Sequence, residues 1–264
     1  MSRSRKSSFP ILENGGYPSA FAHRGGNAVG AKRENSLAAM WEAYLLGYRR
    51  VETDAVASAD GKVMAVHGSA HRLEQLYRGL PPRSILESMD YADIKRKYRI
   101  GGEEIPLLGD VFDEFPEDLF LNIDPKRSAV IKPLGKLLLD RKFQDRVCIG
   151  SRLYSRTQGV AEILGGQARV CTATGWLGLA ALKLNALGQL QKSEAACIQA
   201  PYELVGAATV ERAHDLGFDI HAWTVNDRNA MNKTLDLGVD GIMTDNVVAL
   251  RAVMRSRGDW PQVA

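Results

Sequence analysis

Short apolar runs alternate with helix-length amphipathic stretches along most of the chain. Phe21-Ala22-His23 reads as a strand end. Residues 35–47 carry Leu37, Met40, Trp41, Tyr44 and Leu45 on one stripe, which predicts a helix with Gly47 as its stop. Residues 50–56 and 63–66 read as strands, and the Ala59-Asp60-Gly61-Lys62 turn between them uses Asp-Gly for its positive φ. Further helices are predicted over 107–115, 129–140, 154–164, 177–190, 209–216, 228–237 and 247–255. Strands are predicted at 119–123, 146–150, 168–172, 195–199, 219–225 and 241–244.

Strand after helix after strand, with short joins, means right-handed βαβ units and a parallel sheet. An eight-stranded barrel has one strand fewer than the pattern supplies. The surplus has a local explanation: six residues join Val56 to Val63, whereas a parallel crossover takes about a dozen. The two runs are therefore expected as an antiparallel hairpin, with Val56 opposite about Val63, which folds His67 back beside Glu52. The fold class read this way is α/β, a (β/α)8 TIM-type barrel. Residues 68–105 break the rhythm and read as an insertion or small cap over one barrel mouth. Residues 1–19 are expected as a flexible tail, basic but with no apolar segment after the charges, and 20–264 as a single barrel.

Length and charge fit this picture. A barrel takes about 250 residues and the chain has 264. A net charge of +3, from 34 basic and 31 acidic residues, is too balanced to argue for nucleic acid as a partner. No apolar run approaches the roughly 20 residues of a membrane helix, so no stable membrane insertion is expected. Cys148, Cys171 and Cys197 lie in apolar contexts without C-x-x-C spacing, and read as buried free thiols in a reducing, cytoplasmic setting. The oligomeric state is not legible in the sequence.

The chemistry-bearing residues gather at strand ends. Glu52 and Asp54, two apart on a strand, point to one face. Two facing carboxylates repel unless one is held protonated or a divalent cation lies between them, and all-oxygen ligation suits Mg²⁺ or Ca²⁺ better than zinc. The pair taken alone equally suits an exposed edge strand. The apolar run 119–123 leads into Asp124 and Lys126, which again share a face, as a metal ligand beside an anion-binding cation would, or as a simple strand-end salt bridge would. Arg24 offers phosphate a planar fork, and Gly25-Gly26 let backbone approach a ligand closely. His23 and His67 are each weak signals. As a pair flanking a metal–phosphate site they suit acid–base cleavage of a phosphodiester, because an unperturbed imidazole titrates near pH 6.5. His71 is expected in solvent and His214 on a helix surface. His221 and Trp223 share a strand face, where Trp223 either packs under a substrate's carbon skeleton or fills the core.

Taken in order, Ala22-His23-Arg24-Gly25, Glu34-Asn35-Ser36, Glu52-Thr53-Asp54, Asp60-Gly61 with Val66-His67, Ile123-Asp124-Pro125-Lys126, Trp223-Thr-Val-Asn226 and Gly238-Val-Asp240-Gly241-Ile-Met-Thr-Asp245 resemble the glycerophosphodiester phosphodiesterases. The resemblance runs from about residue 20 to the C-terminus. It implies a (β/α)8 barrel and hydrolysis of small-molecule glycerophosphodiesters to glycerol 3-phosphate and an alcohol, with one divalent cation as cofactor. It implies His23 and His67 as the acid–base pair, and Glu52, Asp54 and Asp124 as metal ligands with Glu34 close to the metal. Arg24 and Lys126 would then hold the phosphate, and Trp223 is expected against the substrate from its place on the strand face. Attack by the glycerol 2-hydroxyl through a cyclic phosphate is the implied route. Three positions depart from the family pattern: Arg33 where Pro is usual, Gly68 where Asp is usual, and Asp124 where Glu is usual. Two alternatives stay open at this point. One is a phosphodiesterase acting on lysophospholipids, for which Leu73, Leu76, Tyr77, Leu80 and Ile85 would supply an apolar rim. The other is a non-catalytic barrel that binds phosphate esters.

Overall fold

Residues 16–28, 30–69, 79–165, 169–173 (as backbone) and 197–261 are described by the structure, a computed structural model. Eight parallel strands close into a ring: β1 (Ser19–His23), β2 (Arg50–Ala57), β4 (Phe120–Pro125), β5 (Val147–Ser151), β6 (Arg169–Ala173), β7 (Cys197–Pro201), β8 (Asp219–Trp223) and β9 (Gly241–Thr244). β1 pairs with both β2 and β9, which closes the barrel. β3 (Val63–Ala65) lies outside the ring, antiparallel to β2. The hairpin is as expected, with its register one residue from the expected one: Val56 faces Met64 and Ala57 faces Val63. The turn sets this. Ser58 donates its N–H to the Lys62 carbonyl at 2.9 Å and its hydroxyl to Asp60 at 2.6 Å, so the turn takes up residues 58–62.

Apart from β6, of which only the backbone is described, the ring strands are largely buried on both faces, and the period-2 alternation of the chain decides what each face does. Ala20 and Ala22, Val51 and Ala55, Leu121 and Ile123, Val147 and Ile149, and Ile220 and Ala222 belong to the large core that the strands share with the surrounding helices. The other parity turns polar groups inward. Asn122 reaches Gln199 across the barrel at 3.3 Å, and a Cβ on Gly150 would come within 2.7 Å of Gln199 Oε1. Lower down, the His221 ring packs against Phe21 at 5.0 Å between centroids, and Gly241 leaves it room.

The helices are α1 (Leu37–Leu45), α2 (Arg83–Leu86), α3 (Tyr91–Lys97), α4 (Leu108–Glu114), α5 (Ile131–Asp140), α6 (Tyr154–Ile163), α7 (Ala207–Asp215), α8 (Arg228–Asp236) and α9 (Val247–Arg257). α1 starts two residues later than the periodicity predicts, because the Ser36 hydroxyl caps it by accepting from the Ala39 N–H at 3.1 Å. Between β3 and α4, residues Leu80, Leu86, Ile94, Ile100 and Ile105 build a second, smaller core with Val56, Met64 and Val66. Leu80 is therefore interior rather than part of an exposed apolar rim. The helix expected over 177–190, and His71, Leu73, Leu76 and Tyr77, lie outside the described residues.

Cys197 is a buried free thiol, as expected. Cys148 is not: it is disulfide-bonded. Spacing along the chain does not reveal this, because strand register decides which cysteines meet. No helix among the described residues is long and apolar enough to cross a membrane.

Candidate active site

The strands deliver their chemistry at their C-terminal ends, where barrels of this architecture keep their active sites. There a cleft of about 400 Å³ is lined by His23, Arg24, Glu52, His67, Asp124, Lys126 and Trp223, seven of the nine residues singled out from the sequence. Asp54 lies fully buried beneath it.

Glu52, Asp54 and Asp124 each place a carboxylate oxygen within 4.8 Å of the others. β2 and β4 are aligned so that Asp54 faces Asp124 directly, which is why the short Asp124 side chain still reaches the group. The group is crowded with charge. Burial, reinforced by Asp54, pushes the Glu52 carboxyl up to about 7. Asp54 goes the other way. Burial opposes its charge, but Lys126 and Arg24 outweigh burial and hold it well below the usual carboxylate range. Lys126 Nζ contacts Asp54 Oδ1 and lies 2.6 Å from Asp124 Oδ2. Arg24 Nε lies 2.9 Å from Asp54 Oδ2. Three hard oxygen donors, one of them destabilised by burial and by Asp54, fit a divalent cation. Glu34, expected beside the metal, is outside this trio: both its oxygens accept from Arg24 Nη1 at 3.2 Å. A single guanidinium nitrogen thus holds both oxygens of Glu34.

The local backbone is shaped to hold this arrangement. Arg24 has φ 53°, a left-handed conformation uncommon for a residue with a side chain, and its N–H donates to Glu52 Oε2 at 3.2 Å. Gly25 and Gly26 are closely packed against their neighbours. A Cβ on Gly25 would meet the α1 backbone at 2.9 Å, and one on Gly26 would meet Val247 Cγ1 at 2.4 Å. Asn35, with φ 65°, donates from Nδ2 to Asp54 Oδ2 at 2.9 Å and accepts from the Thr53 hydroxyl at 2.8 Å. Asn tolerates the left-handed region better than most residues, which suits this corner.

The two histidines sit in opposite environments. His23 Nδ1 lies 2.6 Å from Asp245 Oδ1 and its Nε2 lies 3.6 Å from Glu52. A carboxylate accepts, so Nδ1 carries the proton. Burial disfavours the imidazolium, but Glu52 and Asp245 outweigh burial, and the pKa of His23 lies above its ordinary value. Asp245 is in turn held by Asn226 Nδ2 at 2.8 Å. His67 meets an arginine instead. Arg83 donates from Nε to the His67 carbonyl at 2.7 Å and from Nη2 to Nε2 at 3.1 Å. A guanidinium only donates, so His67 accepts there and is neutral. Burial, with Arg24, Lys126 and Arg83 adding to it against the pull of Asp54, takes His67 down to about 3. Gly68 makes the Arg83 contact possible: it has φ 59°, and a Cβ there would press on Arg83 Cγ at 3.1 Å.

Asn35 and Asp245, which stand in the motifs without an assigned role, and Arg83, Arg152 and Arg156, which stand in none, join the site as well. Asp245 carried the same signal as Asp124, an acid closing an apolar strand. The arginines carried none. Trp223 lines the cleft, with the Arg152 guanidinium over its ring at 4.8 Å from the centroid. His214 is structural, its Nε2 2.7 Å from Asp240 Oδ2, and His221 faces the barrel interior.

This constellation has counterparts in known proteins. The model of the glycerophosphoryl diester phosphodiesterase family matches residues 23–158 and 167–249. The Mycobacterium tuberculosis protein called "Probable glycerophosphodiester phosphodiesterase 2" is 31% identical over 250 residues, spanning 91% of this chain and 92% of that protein. A human lysophospholipase D is 26% identical over 269 residues, spanning 87% of this chain and 84% of its own. Among solved structures, an Oleispira antarctica phosphodiesterase in complex with the product sn-glycerol-3-phosphate superposes with a TM-score of 0.73 at 20% identity, over 90% of this chain and 97% of that one. The glycerophosphodiester phosphodiesterase of Thermotoga maritima gives a TM-score of 0.71 at 22% identity, over 89% and 97%. At these identities the superpositions show a shared fold, while the family match covers the residues of the cleft itself. The chain belongs to the glycerophosphoryl diester phosphodiesterase family and is a phosphoric diester hydrolase.

Proposed function

We propose that this protein hydrolyses glycerophosphodiesters to glycerol 3-phosphate and an alcohol, with Mg²⁺ or Ca²⁺ held by Glu52, Asp54 and Asp124. The observation that carries this reading is the opposed pair of histidines at one carboxylate trio: His23 held as a proton carrier by Asp245, and His67 held neutral by Arg83. Two titratable groups pushed apart in this way divide acid and base work between them. His67 takes the proton of the glycerol 2-hydroxyl on Nε2, the lone pair that Arg83 Nη2 donates to and must release, as the hydroxyl oxygen bonds to phosphorus. The bond from phosphorus to the leaving alcohol breaks, and His23 gives that oxygen a proton. Water then opens the cyclic ester, with the two histidines exchanging roles. Arg24 and Lys126 orient the phosphate's non-bridging oxygens. A bound divalent cation would supply charge neutralisation at those oxygens.

The test is a phosphorus NMR time course with glycerophosphoglycerol in the presence of Mg²⁺ or Ca²⁺. Expected are a transient five-membered cyclic phosphate and then glycerol 3-phosphate, both suppressed by chelation. His23→Ala is expected to lower kcat/KM by about a thousandfold, within the usual range for general acid–base groups. Turnover unchanged in that variant would remove His23 from its role. A lysophospholipid in the same assay tests the reading that the human relative's name raises.

A further inference from the structure

Cations ring the cleft, but they divide into two sets. On the side built by β1, β2 and β4, Arg24 and Lys126 are each in ion pairs: Arg24 with Glu34 and Asp54, and Lys126 with Asp54 and Asp124. Across the cleft stand Arg83, which opens α2, Arg152, which follows β5, and Arg156, in the first turn of α6. Among the described residues none of these three makes an ion pair. Arg83 donates to the backbone and ring of His67, and Arg156 donates to the Pro125 carbonyl at 3.2 Å. Arg156 Nε is buried and has no hydrogen-bond partner among the described residues. Elsewhere on the molecule arginines find carboxylates, as Arg49 does with Asp118, Arg127 with Glu87 and Arg257 with Asp236 and Asp259.

Charge counting gives the imbalance a meaning. The carboxylates of the first side are offset by Arg24, Lys126 and a divalent cation, and the substrate's phosphodiester brings one further negative charge. Among the described residues, Arg83 feels Asp54 and Asp124, and Arg156 feels Asp124 and Glu87, only through space, so the three arginines opposite have no carboxylate in contact. Three guanidiniums converging on a cleft of about 400 Å³ repel one another, and burial disfavours the charge of Arg83 and Arg156 further. A cationic alcohol moiety would add to that repulsion. An aromatic cage for a quaternary ammonium is also lacking: the one aromatic side chain lining the cleft, among the described residues, is Trp223, and Arg152 lies over its ring.

Resting on the proposed phosphodiesterase reading, we propose that the alcohol moiety of the preferred substrate carries its own anionic group, a phosphomonoester or a carboxylate, which Arg83, Arg152 and Arg156 receive. Arginine suits this, since its fork meets phosphate and carboxylate oxygens in pairs.

The experiment is a panel of four glycerophosphodiesters on the metal-loaded wild-type protein: the choline ester, the glycerol ester, the glycerol ester with a terminal phosphate, and the glycerate ester. Both kcat/KM and calorimetric binding are measured at low ionic strength. The expected result is a preference of about tenfold or more for an anionic ester over the choline ester, the size of one good charge-assisted contact. Comparing terminal phosphate with glycerate identifies which anion is received. In Arg152→Gln/Arg156→Gln, with its melting temperature checked, the ratio of anionic to choline ester is expected to fall at least fivefold. Equal or better handling of the choline ester by the wild type overturns the inference, as does a ratio that the folded double variant leaves unchanged. If no ester turns over, the phosphodiesterase reading fails, and the calorimetric order of the four ligands still decides this one.

Discussion

The two sides of the barrel mouth carry similar residues and use them differently. Toward β1, β2 and β4, Arg24 and Lys126 are locked to carboxylates, and the lock is buried: Asp54 is fully inaccessible, with Lys126, Arg24 and Asn35 around it. Toward α2 and α6 the arginines lean on backbone carbonyls, a histidine and an indole ring. The first arrangement fixes positions to within a hydrogen bond and tolerates loss of a partner badly. The second leaves donor capacity for something that arrives. A site that must hold a metal and a phosphate rigidly, yet accept a variable alcohol, needs both.

This contrast can be broken at its strongest point by Lys126→Met. Removing one partner of a buried ion pair leaves the other charge without compensation, and a loss of roughly 3 kcal/mol of unfolding free energy is expected. Chemical denaturation measures it. A loss below 1 kcal/mol would mean that the matched side is not held by its charges. Because a divalent cation would offset the same carboxylates, the loss is expected to shrink when Mg²⁺ or Ca²⁺ is added.

Burial without a matching charge can be isolated deeper in the barrel. His221 is fully buried with its ring on Phe21. Burial, aided by Arg50 and opposed by Asp240, lowers its pKa from 6.5 to about 4. On acidification the unfolded chain therefore takes up this proton first. The stabilisation is fully present above pH 6.5, is lost as pH falls toward 4, and declines no further below that. Its full size is about 3 kcal/mol. Comparing the pH dependence of unfolding in wild type and His221→Asn checks it: the slope between pH 6 and 4 is expected to flatten in the variant. An unchanged slope would show that other groups govern this window.

The smallest effect is expected on the unmatched side. Arg152 is exposed and has no ion pair among the described residues, so Arg152→Gln is expected to move stability by less than about 0.5 kcal/mol. A larger loss would assign Arg152 to the scaffold and sharpen the boundary between the two sides.

Much of this site was readable along the chain because its members close strands. His23, Glu52, Asp54 and Asp124 stand at the ends of apolar runs or within them, and period-2 alternation turns them to the barrel interior. His67 was readable because a join too short for a crossover forces a hairpin. Arg83, Arg152 and Arg156 were not readable, since an arginine in a loop or a first helical turn looks like any surface charge. Glu34's contact with Arg24 was not readable for a related reason: it depends on which side chains meet in space, which spacing does not encode.

The βα rhythm, the hairpin and the set of reactive side chains are written along the chain, because they follow from local periodicity and join length. Which of these groups meet is settled by the closed fold. Barrel closure sets β1 beside β9 and so delivers Asp245 to His23 across 222 positions of chain. Strand register brings Asp124 opposite Asp54, and the left-handed turn at Gly68 admits Arg83 to His67. These pairings arise from through-space electrostatics in a closed, partly dry mouth, a property of the folded ring and not of any segment in it.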